Sequence, residues 1–151
     1  MRKALFILLD NTLIKDINGK VNVHLLTNYN YNVNVINIIK ESYPKDYHIH
    51  IISNQPLIDK GILDEKVFLK KIEIICKEIE YLLNFPRNTI YYSYSVNIES
   101  YSYLPKAGMI YEIALEHELD LKNSTLIGTY SYDKDIADNA GITNYIDSRK
   151  L

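Results

Sequence analysis

The sequence predicts an α/β fold built around an open parallel β-sheet. The run over residues 4–9 is apolar throughout, which is typical of a central strand covered on both faces. Further along, short apolar runs alternate with helical patterns, and this alternation favours parallel strands joined by right-handed crossovers. In the longest helical pattern, apolar side chains recur at spacings of three and four residues from Phe68 to Leu82. The 151 residues fit one domain, which we expect to span residues 1–151.

Four more strands are expected after the first. Each is a short run containing β-branched or aromatic residues and bounded by polar or turn-forming residues. They cover residues 47–52, 89–92, 124–127 and 143–146. Ligands of open parallel sheets bind beyond the carboxyl ends of the strands. The residues that follow these runs are therefore the first candidates for a functional site.

Four helices are expected between the strands. The first covers residues 33–42 and is stopped by Pro44, and the second is capped by Asp64 and continues to about residue 83. A third covers residues 107–118. The last covers residues 133–140 and ends at Gly141, since glycine readily adopts the left-handed conformation that terminates helices.

Charge and cysteine content exclude several functional classes. The formal net charge is −2, and scattered Lys and Glu residues leave no basic footprint for nucleic acid. Cys76 is the only cysteine, so an internal disulfide is excluded and a reducing, cytoplasmic location is predicted. Cys76 lies in an apolar helical stripe, which indicates a buried core residue. The apolar run after Lys3 fits a buried strand better than a signal peptide or membrane span.

Four short motifs stand in a fixed order beside these elements. They are Asp10-Asn11-Thr12 after the first strand, Ser53-Asn54-Gln55 after the second, Pro105-Lys106-Ala107-Gly108-Met109 at the third helix, and Gly128 to Asp133 after the fourth strand. In this order they resemble motifs I to IV of the haloacid dehalogenase-like (HAD) phosphatases. Asn54-Gln55 followed by Gly61 resembles the histidinol-phosphate and heptose-bisphosphate phosphatase branch, and polynucleotide 3′-phosphatases share part of this pattern. The alternative is an unrelated flavodoxin-like domain with chance matches.

The resemblance implies a specific architecture. It is a three-layer, HAD-like (Rossmann-like) α/β fold with a five-stranded parallel sheet in the order 5-4-1-2-3. The segment between motifs I and II, residues 15–47, must hold one helix, so we expect no large cap domain. Leu8, Asp10, Ser53, Lys106 and Asp133 are expected to converge at the carboxyl edge of this sheet.

The resemblance also assigns catalytic positions, and two of them lack their acid. The nucleophile position holds Leu8, which has no lone pair, and the acid/base position holds Asp10. Thr129 replaces the first acid of motif IV, so Asp133 is only a residual metal ligand. Making Asp10 the nucleophile is an alternative, although Asp10-Asn11-Thr12 matches the acid/base register residue by residue.

A phosphate cradle is the part of the site that the sequence retains. Ser53 and Asn54 follow the second strand, Lys106 supplies a positive charge, and the turn at Asn11 and Thr12 presents backbone amides. Two interpretations stay open. In the first, the cradle is a working anion site. In the second, its residues are remnants that hydrogen-bond to the backbone of a turn or lie on the surface.

Cofactor expectations follow from the residues that are missing. Many members of the branch bind structural Zn²⁺ through a Cys/His loop, but here serines from Ser93 to Ser102 stand in those places. His24, His48, His50 and His117 show no ligand spacing with a cysteine. We therefore expect no cofactor, no Zn²⁺, and Mg²⁺ only if the chain is an active phosphatase.

The leading functional prediction is a catalytically inactive HAD phosphatase-like protein that acts as a binding, regulatory or structural subunit. The alternative is a weak metal-dependent phosphatase that acts through Asp10 on a small sugar or polyol phosphate. A polynucleotide 3′-phosphatase-like domain is a third interpretation, weakened by the acidic balance. A protein partner or homo-oligomer and a phosphorylated ligand fit the first interpretation, whereas a membrane or nucleic-acid partner does not. The tyrosine-rich segment from Tyr91 to Tyr103 is either a loop of stacked rings or an interaction surface.

Overall fold

The computed structural model describes residues 1–16 and 29–151. The strands in these residues are β1 (Ala4–Leu8), β2 (Ile14–Asp16), β3 (Tyr29–Tyr31), β4 (His48–Asn54), β5 (Ile90–Ser95), β6 (Thr125–Gly128) and β7 (Asn144–Asp147). The helices are α1 (Val33–Ser42), α2 (Pro56–Asp59), α3 (Glu65–Leu82), α4 (Gly108–His117) and α5 (Ser131–Ala140). Short 3₁₀ turns occur at Tyr43–Lys45 and Ser148–Lys150.

Five of the strands form one parallel sheet in the order β5-β4-β1-β6-β7. The central strand β1 is buried at every residue, as its continuous apolar run predicted. The strands β2 and β3 form a separate antiparallel pair, in which Ile14 lies opposite Tyr31. The α/β class and the five-stranded parallel sheet are therefore confirmed.

The predicted strand order needs a correction. Counted over all strands, the order is 5-4-1-6-7 and not 5-4-1-2-3. The physical reason is the antiparallel pair β2 and β3, which the sequence analysis did not predict and which precedes β4 in the chain. The strands expected as second to fifth along the chain are thus β4, β5, β6 and β7.

The predicted helices agree with the structure to within a few residues. Helix α1 has the expected bounds, and Asp64 caps α3 by accepting hydrogen bonds from the backbone amides of Lys66 and Val67. Helix α5 begins at Ser131, slightly earlier than expected, and it ends at Gly141, whose φ is +74°. Capping chemistry therefore located these helix ends correctly.

Two apolar clusters cover the two faces of the sheet and give three layers. The first cluster joins the sheet to α1 and α3, and it includes Phe68 and Ile72. The second joins the opposite face to α4 and α5, and it includes Phe6, Leu8 and Ile136. The carboxyl ends of β1 and β4 therefore meet the amino end of α5, which is where a ligand site is expected.

Three further expectations concern Cys76, membrane-spanning helices and the segment between the first two motifs. Cys76 is buried, as predicted, and burial raises the pKa of its thiol to about 12. No helix in the described residues has the length and apolar character needed to cross a membrane. Residues 17–28, which include His24 and part of the segment predicted to hold no large cap, lie outside the described residues.

Candidate functional site

A cavity of about 290 Å³ lies at the carboxyl edge of the sheet. The predicted site residues that line it are Leu8, Asp10, Asn11, Ser53, Asn54 and Asp133. The remaining wall is formed by Pro56, Tyr103, Leu104, Pro105, Tyr132 and Ile136. Residues from β1, β4 and α5 thus meet as the rule for open sheets predicts.

Leu8 is the last residue of β1 and occupies the position where the family resemblance places the nucleophile. Its side chain is 8% exposed and belongs to the same apolar cluster as Leu104 and Ile136. A leucine here can pack and exclude water, but it offers no lone pair for attack on phosphorus.

Asp10 keeps its carboxyl at the cavity. Its Oδ2 accepts a hydrogen bond from Gln55 Nε2 at 3.0 Å, and its Oδ1 is buried without a hydrogen-bond partner. Burial raises the pKa of Asp10 to about 6, and the hydrogen bond from Gln55 opposes that rise only in part. The group is therefore held close to the range in which an acid/base residue exchanges protons.

The raised pKa of Asp10 predicts a pH-dependent effect on stability. Because the pKa rises from 3.8 to about 6, the folded chain holds a proton that the unfolded chain releases between these values. The stability of the native chain therefore falls as the pH rises through this range. We expect Asp10→Asn to raise the free energy of unfolding by about 1–2 kcal/mol at pH 7.5 and by clearly less at pH 4.5.

Urea unfolding at the two pH values measures this effect. Asp135→Asn is the matched control, because Asp135 is exposed on α5 and should give the same stability as the native chain at both values. A gain from Asp10→Asn that is equal at both pH values would show that burial of the charge is not its cause.

Thr129 follows β6 and stands where the family resemblance places the first acid of motif IV. Its Oγ1 donates to the carbonyl oxygen of Asn11 at 2.6 Å, and it lies 2.8 Å from both Thr12 Oγ1 and Ser148 Oγ. A hydroxyl has one proton to donate, so the Thr12 and Ser148 hydroxyls donate to Thr129. The threonine therefore joins the first motif to the chain's last turn.

Asp133 caps its own helix. Its Oδ2 accepts hydrogen bonds from the backbone amides of Thr129 at 2.8 Å and Tyr130 at 3.0 Å. Gly128 permits this close approach, because a Cβ there would lie 2.5 Å from Asp133 Cβ. Burial raises the pKa of Asp133, although both amide hydrogen bonds oppose that rise. One carboxylate oxygen is thus committed to backbone amides.

The side-chain oxygens at the cavity do not form the Mg²⁺ site of an intact HAD phosphatase. Mg²⁺ needs near-octahedral oxygen ligands, usually with one or two carboxylates. Leu8 supplies no oxygen, the Thr129 hydroxyl already has three oxygen partners, and Asp133 accepts from two amides. Asp10 Oδ1 is the one buried carboxylate oxygen without a partner among the described residues. These residues therefore do not provide the oxygen ligands that Mg²⁺ needs.

Lys106 does not reach the cavity, which corrects the prediction that it converges with Asp10 and Ser53. Its side chain is exposed, and its Nζ donates to the carbonyl oxygens of Ile98 at 3.3 Å and Ser100 at 3.2 Å. These carbonyls lie in the loop after β5 and hold the ammonium group there. No Lys or Arg lines the cavity within the described ranges, so its charged groups there are carboxyls.

The other cradle residues are brought together but already have partners. Ser53 Oγ accepts a hydrogen bond from Gln55 Nε2 at 3.3 Å. The side-chain amide of Asn54 pairs with both backbone groups of Leu104, at 2.7 and 2.9 Å. Thr12 is fully buried, whereas Asn11 lines the cavity with a φ of +63°. Ser53, Asn54, Asn11 and Thr12 thus meet at one edge of the sheet, and Ser53 and Asn54 already make hydrogen bonds within the protein.

Comparison with models of protein families shows which family the chain belongs to. A family model described as polynucleotide kinase 3 phosphatase matches residues 4–145, which is most of the chain. The chain belongs to this family. The resemblance to HAD-like phosphatases is thereby confirmed, and the family is the one that the sequence analysis ranked third. No curated protein sequence matches the chain significantly.

Solved structures of HAD-like phosphatases share the fold. A candidate HAD-like phosphatase from Mesorhizobium loti superposes with a TM-score of 0.75 at 17% identity, covering 95% of this chain and 71% of that one. D,D-heptose bisphosphate phosphatase from B. bronchiseptica, complexed with magnesium and phosphate, gives 0.76 at 16% identity over 98% and 84%. A phosphoserine phosphatase in a phospho-aspartyl intermediate analogue gives 0.53 at 14% identity over 99% and 97%. Similarity at these identities establishes the fold alone.

Sequence reasoning missed some residues of the site. Gln55 was quoted only as part of a motif, yet its amide is the hydrogen-bond donor to both Asp10 and Ser53. The position of Gln55 directly after β4 was the available signal. Tyr103 and Tyr132 line the cavity, but no periodicity in the sequence points to either.

Proposed function

We propose that this member of a HAD-like phosphatase family is catalytically inactive and acts as a binding, regulatory or structural subunit. The observation that carries the proposal is the buried side chain of Leu8 at the nucleophile position. Phosphoryl transfer in this fold needs an attacking group, and leucine has none. The family relationship supports the fold, whereas this residue argues against the reaction.

The partners of the surrounding groups support the same proposal. Thr129 and Asp133 serve a hydrogen-bond network and a helix cap, and Lys106 binds loop carbonyls outside the cavity. A phosphoryl group carries negative charge that a catalytic site must stabilise. The cavity instead presents the carboxyls of Asp10 and Asp133, which disfavour an anion.

The same charge distribution bears on nucleic acid as a substrate. Binding to a polynucleotide depends largely on Lys and Arg contacts to phosphates. The formal net charge of the chain is −2, and the charged groups among the described residues that line the cavity are the carboxyls of Asp10 and Asp133. We therefore regard a 3′-phosphorylated end as a test substrate and not as the expected ligand.

Phosphatase assays with Mg²⁺ test the proposal. We expect no turnover of p-nitrophenyl phosphate or of a 3′-phosphorylated oligonucleotide above a heat-inactivated control, with an active Mg²⁺-dependent phosphatase assayed in parallel. The native chain and Asp10→Asn should behave alike, because in the inactive protein that we propose Asp10 does not attack phosphorus. Turnover by the native chain that Asp10→Asn abolishes would disprove the proposal.

The second candidate function is a weak phosphatase acting through Asp10 on a small sugar or polyol phosphate. Its supporting observation is the unpartnered, buried Oδ1 of Asp10 at the cavity, together with a pKa of about 6. Such a carboxyl is a candidate for acid/base or nucleophilic chemistry. In the same assay, phosphatase activity that is lost in Asp10→Asn would favour this candidate over the leading proposal.

A further inference from the structure

Three histidines converge on one face of the sheet, away from the cavity. His48 opens β4, His50 follows on the same face because side chains alternate along a strand, and His117 is the last residue of α4. One ring nitrogen of each lies within 4.8 Å of the other two. The cavity lies at the opposite, carboxyl end of β4, where Ser53 and Asn54 stand.

The spacing of the two strand histidines suits a shared ligand. His48 Nε2 lies 3.0 Å from His50 Nδ1, and His50 Nε2 lies 2.7 Å from Ser93 Oγ. Two imidazole nitrogens bound to one tetrahedral Zn²⁺ are about 3.4 Å apart, given bonds of about 2.1 Å. Movements of a few tenths of an ångström would thus bring this pair to coordinating distance. The Ser93 hydroxyl already orients His50 through its other nitrogen, as partners of metal-bound histidines do.

His48 carries an unexplained polar atom. The residue is 1% exposed, and its Nδ1 is buried without a hydrogen-bond partner. Buried polar groups are nearly always satisfied, so this nitrogen lacks the partner that its environment requires. An ion held by Nε2 cannot also bind Nδ1 of the same ring, so this atom shows only that the cluster lacks a polar partner among the described residues.

The burial and nearby charges of the cluster are compatible with a cation. His48 and His50 are both buried, and the uncharged imidazole that burial favours is the form that binds a metal ion. The Glu116 carboxylate lies 3.9 Å from His117 Nε2 and favours positive charge there. The positive charge of Arg2 disfavours a cation at the cluster, although the Arg2 guanidinium is paired with the Asp46 carboxylate at 3.5 Å.

We propose that His48, His50 and His117 bind one divalent transition-metal ion, with Zn²⁺ as the best match. Three imidazoles and no carboxylate favour Zn²⁺ and similar ions over Mg²⁺ or Ca²⁺. His117 also lines a surface groove with Arg2 and Tyr111, so one member of the cluster is reached from solvent. The expectation of no Zn²⁺ rested on the serines from Ser93 to Ser102 and on histidines without ligand spacing to a cysteine, whereas this site uses histidines alone. The site is independent of the proposed function.

Titration of the untagged, metal-free chain with Co²⁺ at pH 7 tests the site. We expect one equivalent to produce the visible absorption of a tetrahedral ion and Zn²⁺ to displace it, with a matching single-site signal for Zn²⁺ in calorimetry. His117→Gln should lower the affinity more than about tenfold, because it removes one of three protein ligands. His117 is partly exposed at a helix end, so this variant should fold, which circular dichroism checks.

Two control variants isolate the histidines from other ligands. Cys76→Ser removes the chain's one thiol, and Asp10→Asn alters the carboxyl at the distant cavity. Both should bind Co²⁺ as the native chain does. His50→Gln provides a second ligand deletion and should also lose binding. Failure of the native chain to bind, or undiminished binding by folded His117→Gln, would overturn the proposal.

Discussion

Replacing Leu8 with aspartate is expected to lower the free energy of unfolding by about 4 kcal/mol at pH 7.5. Leu8 is 8% exposed and packs in the apolar cluster between the sheet and α4 and α5. The variant loses this packing and places a carboxylate beside Asp10 and Asp133 in the same cavity. Repulsion among these groups adds to the cost of burying the new charge. Urea unfolding monitored by circular dichroism measures the loss.

Two control substitutions separate packing from charge. Leu8→Met conserves volume and should cost less than about 1.5 kcal/mol. Leu8→Asn loses the same packing as the aspartate variant but carries no charge, so the gap between the two should widen as the pH rises. A Leu8→Asp variant with native stability at pH 7.5 would show that this position is solvated and that the leucine does not fill it.

The same substitution bears on whether the site can be restored. A carboxyl at Leu8 stands where the family resemblance places the attacking group, but position 129 still holds a threonine where that resemblance places an acid. We expect Leu8→Asp alone to remain inactive, because Mg²⁺ binding needs further oxygen ligands. Adding Thr129→Asp supplies the second carboxylate and removes the hydroxyl that donates to the carbonyl oxygen of Asn11. Leu8 and Thr129 therefore stabilise the fold at the two positions where the family resemblance places catalytic acids.

The architecture was predictable where burial leaves a clear pattern. The continuous apolar run of β1 and the periodic stripe of α3 reflect elements covered by the core, and Asp64 and Gly141 mark helix ends by local backbone chemistry. The pair β2 and β3 was missed because each strand has only three residues, too few for alternation to show. Because this pair was not predicted, the later strands were numbered two too low in the expected strand order.

The candidate site was predictable in its location but not in its contacts. Strand ends set where Asp10, Ser53 and Asp133 stand, since parallel strands bring their carboxyl ends to one edge. The direction of Lys106 depends on two carbonyls in a loop, and the partners of Thr129 come from distant segments. Such contacts arise only when the chain is folded, so no spacing in the sequence reports them.

Replacing Asp133 with alanine is the second substitution with a large expected effect. Asp133 Oδ2 accepts hydrogen bonds from the buried backbone amide of Thr129 and the partly buried amide of Tyr130, and alanine removes this acceptor. We expect a loss of about 2–3 kcal/mol in the free energy of unfolding, measured by urea titration. The cause is loss of a helix cap, and the size of the loss should not depend on Mg²⁺.

Asparagine at the same position distinguishes a cap from a metal ligand. Asp133→Asn keeps an oxygen that accepts from both amides, and burial raises the pKa of the native carboxyl, so removing the charge should cost less than about 1 kcal/mol at pH 7.5. Asp138→Ala on the exposed face of α5 removes only the pair with Lys134 and should cost about 0.5 kcal/mol or less. If Mg²⁺ instead stabilises the native chain but not Asp133→Asn, this carboxylate binds metal, and the inactive assignment would lose its support from Asp133.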